Sequence, residues 1–374
     1  MKSFHSLVTA LLLLGSSATV RAASDPRTPR YAVDELKVSD AVQTYSGTAG
    51  CINERGDVVG FRYLRENSRS WFEAVIWRNQ DVAVLPSLGG MNSFAIGLNA
   101  HGDVVGLSET GQQDPLGNPV SRAVVWRNGK VQDLGTLGGR NSAAYGISDT
   151  ETIVGTAETG VIDSSTGQPV TSACLWEKGI ARDLGTLGGA NGWAIAANAQ
   201  GLVIGVAETA DADPSSGSQL FHAFRYEGGA MTDLGTFGGP DSVAYSLNAL
   251  GDVVGYADTP DFDPYWTSVP HAFLWTDGQM RDLGTLGGSG SIAYSVNSRG
   301  QVVGVAGVIP GSSGIRIHGF LWEAGSMQDL NDLVPADSPW EIVEADCINS
   351  RADIVATGKG PEGLVPLRLI RSGR

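Results

Sequence analysis

The chain has 374 residues, of which 42% are hydrophobic and only 17% are charged, with 25 Lys and Arg against 40 Asp and Glu. This composition excludes a disordered chain. The net charge of −15 argues against nucleic acid as a partner, because phosphate binding requires a basic face. The 51 glycines indicate many turns between short strands.

The first predicted element is a signal peptide over residues 1–22. An apolar core from Leu7 to Leu14 is too short to span a bilayer. Val20-Arg21-Ala22 then supplies small residues at the positions that a signal peptidase recognises before its cleavage site. We therefore expect an exported protein, extracellular or periplasmic, with no membrane anchor. Residues 23–374 are predicted to form a single domain that is a monomer.

The rest of the chain is built from seven copies of one unit. The sequence Asp133-Leu134-Gly135-Thr136-Leu137-Gly138-Gly139 recurs from Asp183, Asp233 and Asp282. A second motif, Gly-Asp-Val-Val-Gly at Gly56, recurs at the same spacing with variations and is preceded by Asn in most copies. A repeat of about 50 residues of this kind is typical of a β-propeller or a solenoid.

Each unit contains four short strand patterns, exemplified by 293–297, 301–304, 271–275 and 279–283. They are rich in β-branched and aromatic residues and are separated by Asn and Gly turns. Four antiparallel strands per unit are typical of a propeller blade. The fold class predicted is all-β, a seven-bladed β-propeller of four-stranded antiparallel blades.

The two ends of the chain favour a closed ring over an open β-solenoid. The last unit stops after three strands, and a fourth-strand pattern at residues 32–38 stands alone before the first unit. We expect the N-terminal strand to pair with residues 367–370, which closes the ring and covers an open sheet edge.

The composite motif resembles the HAF extracellular repeat of bacteria. The resemblance is carried by His271-Ala272-Phe273-Leu274-Trp275, by Asp282 to Gly288 and by Asn297 to Gly304, and it covers nearly the whole mature chain. It implies an exported repeat protein and supplies no catalytic residues. The His residues of these motifs, His222, His271 and His318, are too far apart in a ring to form one zinc site, so we expect each to hydrogen-bond locally.

Acidic residues recur between the second and third strands of four units. Each unit presents two carboxylates at one spacing, on long loops expected to share a face with the Gly-Gly crossovers. These candidate Ca²⁺ ligands are Glu109, Asp114, Glu158, Asp163, Glu208, Asp213, Asp258 and Asp263. Carboxylate groups are common Ca²⁺ ligands in proteins. The same residues are also typical of solvated loops that keep an exported protein soluble.

Two tryptophans, Trp71 and Trp266, lie outside the recurring Trp column and are candidate contacts for a carbohydrate or protein ligand. We predict a non-catalytic binding propeller that uses its loop-bearing face. The alternative is a secreted Ca²⁺-dependent hydrolase or lyase with its site on that face. Repetition of the carboxylates favours binding, because a catalytic site is normally one asymmetric cluster.

Cys51 and Cys347 occupy the same inner-strand column in the first and last units, which are neighbours in a closed ring. Export makes a disulfide between them chemically feasible. The alternative is two small buried thiols. Cys174 falls in a core column and is expected to be free and buried.

Overall fold

The computed structural model describes residues 30–37, 44–79, 81–164, 166–213, 217–262, 268–308, 316–361 and 363–373, with side chains from residue 50 onward in the second of these ranges. The predicted signal peptide at 1–22 lies outside the described residues. Seven four-stranded antiparallel sheets follow one another around a ring, so the protein is a seven-bladed β-propeller.

The strands are assigned to blades as follows. The chain begins with β1 (Tyr31–Glu35), which belongs to blade seven. Blade one contains β2 (Thr44–Ile52), β3 (Val58–Glu66), β4 (Arg69–Arg78) and β5 (Asp81–Val84). Blade two contains β6 (Ser93–Leu98), β7 (Val104–Gln113), β8 (Pro119–Arg127) and β9 (Lys130–Asp133). Blade three contains β10 (Ser142–Ile147), β11 (Ile153–Ile162), β12 (Pro169–Glu177) and β13 (Ile180–Asp183). Blade four contains β14 (Gly188–Ala197), β15 (Val203–Ala212), β16 (Gln219–Glu227) and β17 (Ala230–Asp233).

The remaining blades continue the pattern. Blade five contains β18 (Ser242–Leu247), β19 (Val253–Asp258), β20 (Pro270–Thr276) and β21 (Gln279–Asp282). Blade six contains β22 (Gly287–Val296), β23 (Val302–Val308), β24 (Arg316–Glu323) and β25 (Ser326–Asp329), followed by a 3₁₀ turn over Leu330–Asp332. Blade seven contains β26 (Glu341–Ile348), β27 (Ile354–Gly360) and β28 (Gly363–Arg371).

The ring closes as predicted. Strand β1 adds to the outer edge of β28, with Ala32 opposite Ile370 and Glu35 opposite Leu367. Blade seven therefore contains strands from both ends of the chain, in the order β1-β28-β27-β26. The strand begins one residue earlier than the pattern suggested because the Tyr31 ring is fully buried in the adjoining core.

The hydrophobic core consists of seven clusters, one between each pair of neighbouring blades. The recurring Trp column contributes to them: Trp77 packs between blades seven and one, and Trp126 between blades one and two. Burial of large apolar rings between blades stabilises the ring as a whole, since no blade covers its own faces. In blades two to six, a glycine near the start of the second strand allows close approach to the inner strand; a Cβ at Gly255 would overlap the carbonyl oxygen of Val243.

The predicted Asn turns also link the blades. The Oδ1 atom of Asn248 accepts from the amide of Asp252 within its own turn, and its Nδ2 donates to the Asn297 carbonyl of the next blade at 3.2 Å. Equivalent links join Asn53 to Asn99, Asn99 to Ser148, Asn198 to Asn248, Asn297 to Asn349, and Asn349 back to Asn53. We call this set of hydrogen bonds the asparagine belt.

Blade three carries Ser148 at this position, and its hydroxyl bonds Thr150 instead of reaching blade four. Replacing Ser148 by Asn should complete the belt and raise the free energy of unfolding by about 0.5–1.5 kcal/mol, the usual net contribution of one such hydrogen bond. Urea denaturation of S148N beside S148A checks this. An unfolding midpoint for S148N at or below that of S148A would show that the missing link carries no stability.

Candidate functional site

One face of the ring carries both the Gly-Gly crossovers and the hairpins between second and third strands, as predicted. The amide of Gly90 donates to the Glu109 carbonyl at 3.0 Å, and the amide of Gly139 donates to the Glu158 carbonyl at 3.0 Å. Each crossover thus rests on the second strand of the blade that follows it. We call this side the loop face.

In blades two to four, the first carboxylate of the predicted pair holds a crossover in place. Glu109 accepts from the Met91 amide, the Asn92 amide and the Asn92 side chain, at 3.2, 3.1 and 2.7 Å. Glu158 and Glu208 accept the same three hydrogen bonds from the crossovers that precede them. These carboxylate oxygens are already engaged by donors within the protein, which gives them a structural role in each blade.

The loops that the sequence predicted here are shorter in the structure. Strands β7, β11 and β15 continue to Gln113, Ile162 and Ala212, so Glu109, Glu158 and Glu208 lie within strands. A register shift after each Glu lets the polar sequence go on pairing with the third strand. The polar composition of these segments did not reveal that the strands continue, because an exposed hairpin and a loop contain the same residue types.

The second carboxylates lie in the short turns beyond these strands. Asp114 accepts hydrogen bonds from the amides of Leu116 and Asn118 and from the Asn118 side chain, which lower the pKa of its carboxyl group. Asp163 accepts from Thr166, and the backbone of Asp213 closes a similar turn. Asp263 lies outside the described residues.

Calcium binding by these residues stays a prediction. Within the part of the chain that the structure describes, no group of three or more His, Cys, Asp or Glu side chains is arranged to hold a metal ion. The seven of these carboxylates that the structure describes are distributed over four blades rather than gathered around one point.

Blade five departs from the Glu–Asn pattern. Asp258 replaces the glutamate and Asp241 replaces the asparagine, so that two carboxyl groups face each other. Burial raises the pKa of Asp258 to about 6, with Asp241 as a further cause, and burial also raises the pKa of Asp241. The sequence pattern concealed this difference because Asp258-Thr259 looks like the Glu-Thr of the other blades.

The histidines bond locally, as predicted. The Nδ1 atoms of His222 and His271 lie 2.7 Å from Asp233 and Asp282 on the adjacent outer strand. His318 contacts Asp329 and also Glu341 of blade seven. Burial disfavours the charged ring of His318, but these two carboxylates outweigh it and raise its pKa to about 9. These pairs hold outer strands to their blades, and none forms a metal triad.

The candidate binding site is a groove of about 770 Å³ on the rim of the loop face. It lies between the β3–β4 hairpin of blade one and the crossover to blade two. Its lining is formed by Glu66 to Arg69, Trp71, Glu73, Val84 to Ser87, Gly90, Met91 and Ser93. Trp71, one of the two tryptophans singled out from the sequence, is in this groove, whereas Trp266 lies outside the described residues.

Hydrogen bonds fix the aromatic side chain of the groove. The Trp71 Nε1 donates to Glu73 at 3.1 Å, and Glu73 in turn pairs with Arg62 at 2.7 Å. The indole is therefore held in one orientation while its ring remains partly exposed. Exposed Val84 and Met91 supply apolar surface beside it. A fixed ring with adjacent apolar and polar groups is a preorganised contact surface.

A second aromatic layer supports the hairpin from its other side. Phe61 and Phe72 of blade one pack against Phe94 of blade two, and Tyr63 packs against Phe72, with ring centroids 5.0–5.6 Å apart. The hairpin turns tightly at Asn67, whose φ of 55° lies in the left-handed region. This packing joins the hairpin of blade one to the inner strand of blade two on the side away from the groove.

The fold defines the class of the protein as a seven-bladed β-propeller. No protein-family profile and no curated protein matches its sequence. Solved structures do match its fold. The β-propeller domain of the trilobed protease from Pyrococcus furiosus, described as having an open velcro topology, aligns over 90% of this chain and 95% of its own, with a TM-score of 0.57 and 10% identity.

Two further structures are similar over most of this chain. The acylaminoacyl peptidase of Pyrococcus horikoshii aligns over 84% of this chain and 49% of its own, with a TM-score of 0.50 and 10% identity. The sialidase of Trypanosoma rangeli aligns over 88% and 55%, with a TM-score of 0.41 and 9% identity. Similarities at this level of identity show the fold alone. No helix in the described residues is long and apolar enough to span a membrane.

Proposed function

We propose that this chain is an exported, non-catalytic binding propeller whose rim groove holds an oligosaccharide. The observation that carries the proposal is the indole of Trp71, fixed by Glu73 in a groove large enough for several sugar rings. The C–H face of a sugar packs on such a ring, and its hydroxyl groups bond to the polar side chains around it.

The polar lining suits an uncharged sugar. Glu66, Asn67, Ser68 and Arg69 at the hairpin tip offer both donors and acceptors, and the single Arg offsets part of the acidic charge. The loop carboxylates have a supporting role in this proposal: they keep the crossovers in place and, if they also bind Ca²⁺, they stabilise the same face. The hydrolase or lyase alternative would need a second group positioned to act on a substrate held at Trp71.

The test is binding of the mature protein to an immobilised panel of neutral oligosaccharides, with a peptide panel beside it. Replacing Trp71 by Ala should lower the affinity for any sugar bound by the wild type at least tenfold, because the stacking surface is removed. The matched control is L116A, since Leu116 is an apolar side chain, 86% exposed, on a blade-two loop of the same face. Equal sugar binding by W71A, or binding of peptides alone, would overturn the proposal.

A further inference from the structure

A ring of side chains lines the axis of the propeller. In every blade the innermost strand carries a β-bulge at the same place, immediately after the alanine that recurs at this position of the repeat. The bulged residues are Gly50, Ile96, Tyr145, Ile195, Tyr245, Tyr294 and Asp346, and all seven are partly or fully exposed. The inner strands of neighbouring blades contact one another around the ring. Propellers have a central channel along this axis, and a bulge re-aims its extra residue, so we place these residues at the channel.

Blade seven breaks the pattern of this ring with two acidic groups. Its bulged residue is Asp346, where the other blades have Gly, Ile or Tyr, and Glu344 lies two positions earlier on the same strand. The Oδ2 atom of Asp346 is shielded from solvent and meets no hydrogen-bond donor. No Lys, Arg or His of the described ranges forms an ion pair with either carboxylate. A carboxylate oxygen that is shielded from solvent and meets no donor is costly, which indicates that something else completes the site.

The neighbouring walls of the channel are aromatic. The Tyr294 ring lies 5.6 Å from the Tyr245 ring, and Tyr245 lies 6.1 Å from Tyr256, measured between centroids. The Tyr294 hydroxyl lies close enough to Glu344 for each group to shift the pKa of the other. Burial raises the pKa of Tyr245 and Tyr294, so both rings stay neutral and keep their electron-rich faces.

Carboxylates beside neutral aromatic rings are complementary to an organic cation. Ring faces attract ammonium groups, and the two acids supply the opposite charge. Calcium fits less well, since it takes six to eight oxygen ligands and no third acidic or histidine side chain among the described residues joins the pair. Burial raises the pKa of Glu344 and, more strongly, of Asp346; a bound cation would return them to the ionised state.

We propose that the axial channel binds the ammonium group of an organic amine between Tyr294 and the two acids of blade seven. This site lies at the propeller axis and is separate from the rim groove beside Trp71. The two sites can therefore be tested independently, and failure of one leaves the other standing.

The experiment is isothermal titration of the mature protein with 1,5-diaminopentane, and separately with CaCl₂. The wild type should bind the amine saturably at one site per chain. D346N and E344Q should each weaken amine binding at least tenfold, and E177Q, which removes an exposed acid of blade three, should leave it unchanged.

Two independent variants keep the test decisive if one of them folds poorly, as judged by near-UV circular dichroism. Absence of saturable amine binding to the wild type would overturn the proposal. So would amine binding that survives in both D346N and E344Q. Calcium binding that depends on Asp346, without amine binding, would assign the channel to a metal ion and contradict the proposal equally.

Discussion

Replacing Tyr31 by Ala is expected to lower the free energy of unfolding by about 3–5 kcal/mol, the usual cost of removing a large buried aromatic side chain. Tyr31 is the first residue of β1, and its ring is fully buried in the cluster between blades six and seven. Its hydroxyl accepts from Arg371 at 3.1 Å, and the Arg371 guanidinium also lies over its ring. The variant removes these contacts from the strand that closes the ring.

The measurement is chemical denaturation of the mature protein, with E35A as the matched control. Glu35 lies in the same strand and pairs with Leu367, but its side chain is exposed, so its removal should cost less than about 0.5 kcal/mol. Similar unfolding midpoints for Y31A and E35A would contradict closure by β1, because a strand that contributes no buried contacts cannot hold two ends of a chain together.

Oxidation should join Cys51 to Cys347 and stabilise the ring at its seam. The two sulfur atoms lie 2.6 Å apart, and the amide of Ile52 donates to the Cys347 sulfur at 3.4 Å. The serine at the same position in the preceding blade, Ser295, accepts from Ile348 in the same way. The structure thus brings together the two thiols that the sequence placed on neighbouring blades, while the covalent bond remains a prediction.

Reduction of that bond should cost about 2–5 kcal/mol, the usual range for a native disulfide. The oxidised protein, denatured without reductant, should show one free thiol. That thiol is Cys174, which is fully buried and whose pKa is raised to about 12 by burial. C51S should show two free thiols and be insensitive to reductant. Three free thiols in the wild type purified without reductant would refute the bond.

The architecture could be predicted because it depends on local signals that recur seven times. Asn and Gly mark the turns, the Trp column marks the third strand, and the orphan pattern at 32–38 marks the closing strand; each follows from backbone conformation or side-chain volume. Local hydrogen bonding of the histidines was also predicted from the repeat, whereas their Asp partners on the outer strand emerged from the structure. The resemblance to the HAF repeat stays a prediction.

The site was harder to predict because it depends on departures from the repeat. Trp71 could be recognised as an extra aromatic residue, but the groove beside it depends on where the crossover to blade two runs. The sequence pattern made Glu109, Glu158 and Glu208 candidate Ca²⁺ ligands. In the structure, their carboxylate oxygens accept hydrogen bonds from the preceding crossovers. Asp346 carries a signal in the sequence: it is the one acidic residue in its column.

The central claim is that the propeller binds its ligand at the rim groove without transforming it. The most direct measurement is to capture an oligosaccharide on the wild-type protein, incubate the complex with Ca²⁺, elute the sugar and determine its mass. The account predicts an unchanged mass after capture by the wild type and no capture by W71A. A shortened sugar, or one that has lost the elements of water, would contradict it and assign the groove to a hydrolase or a lyase.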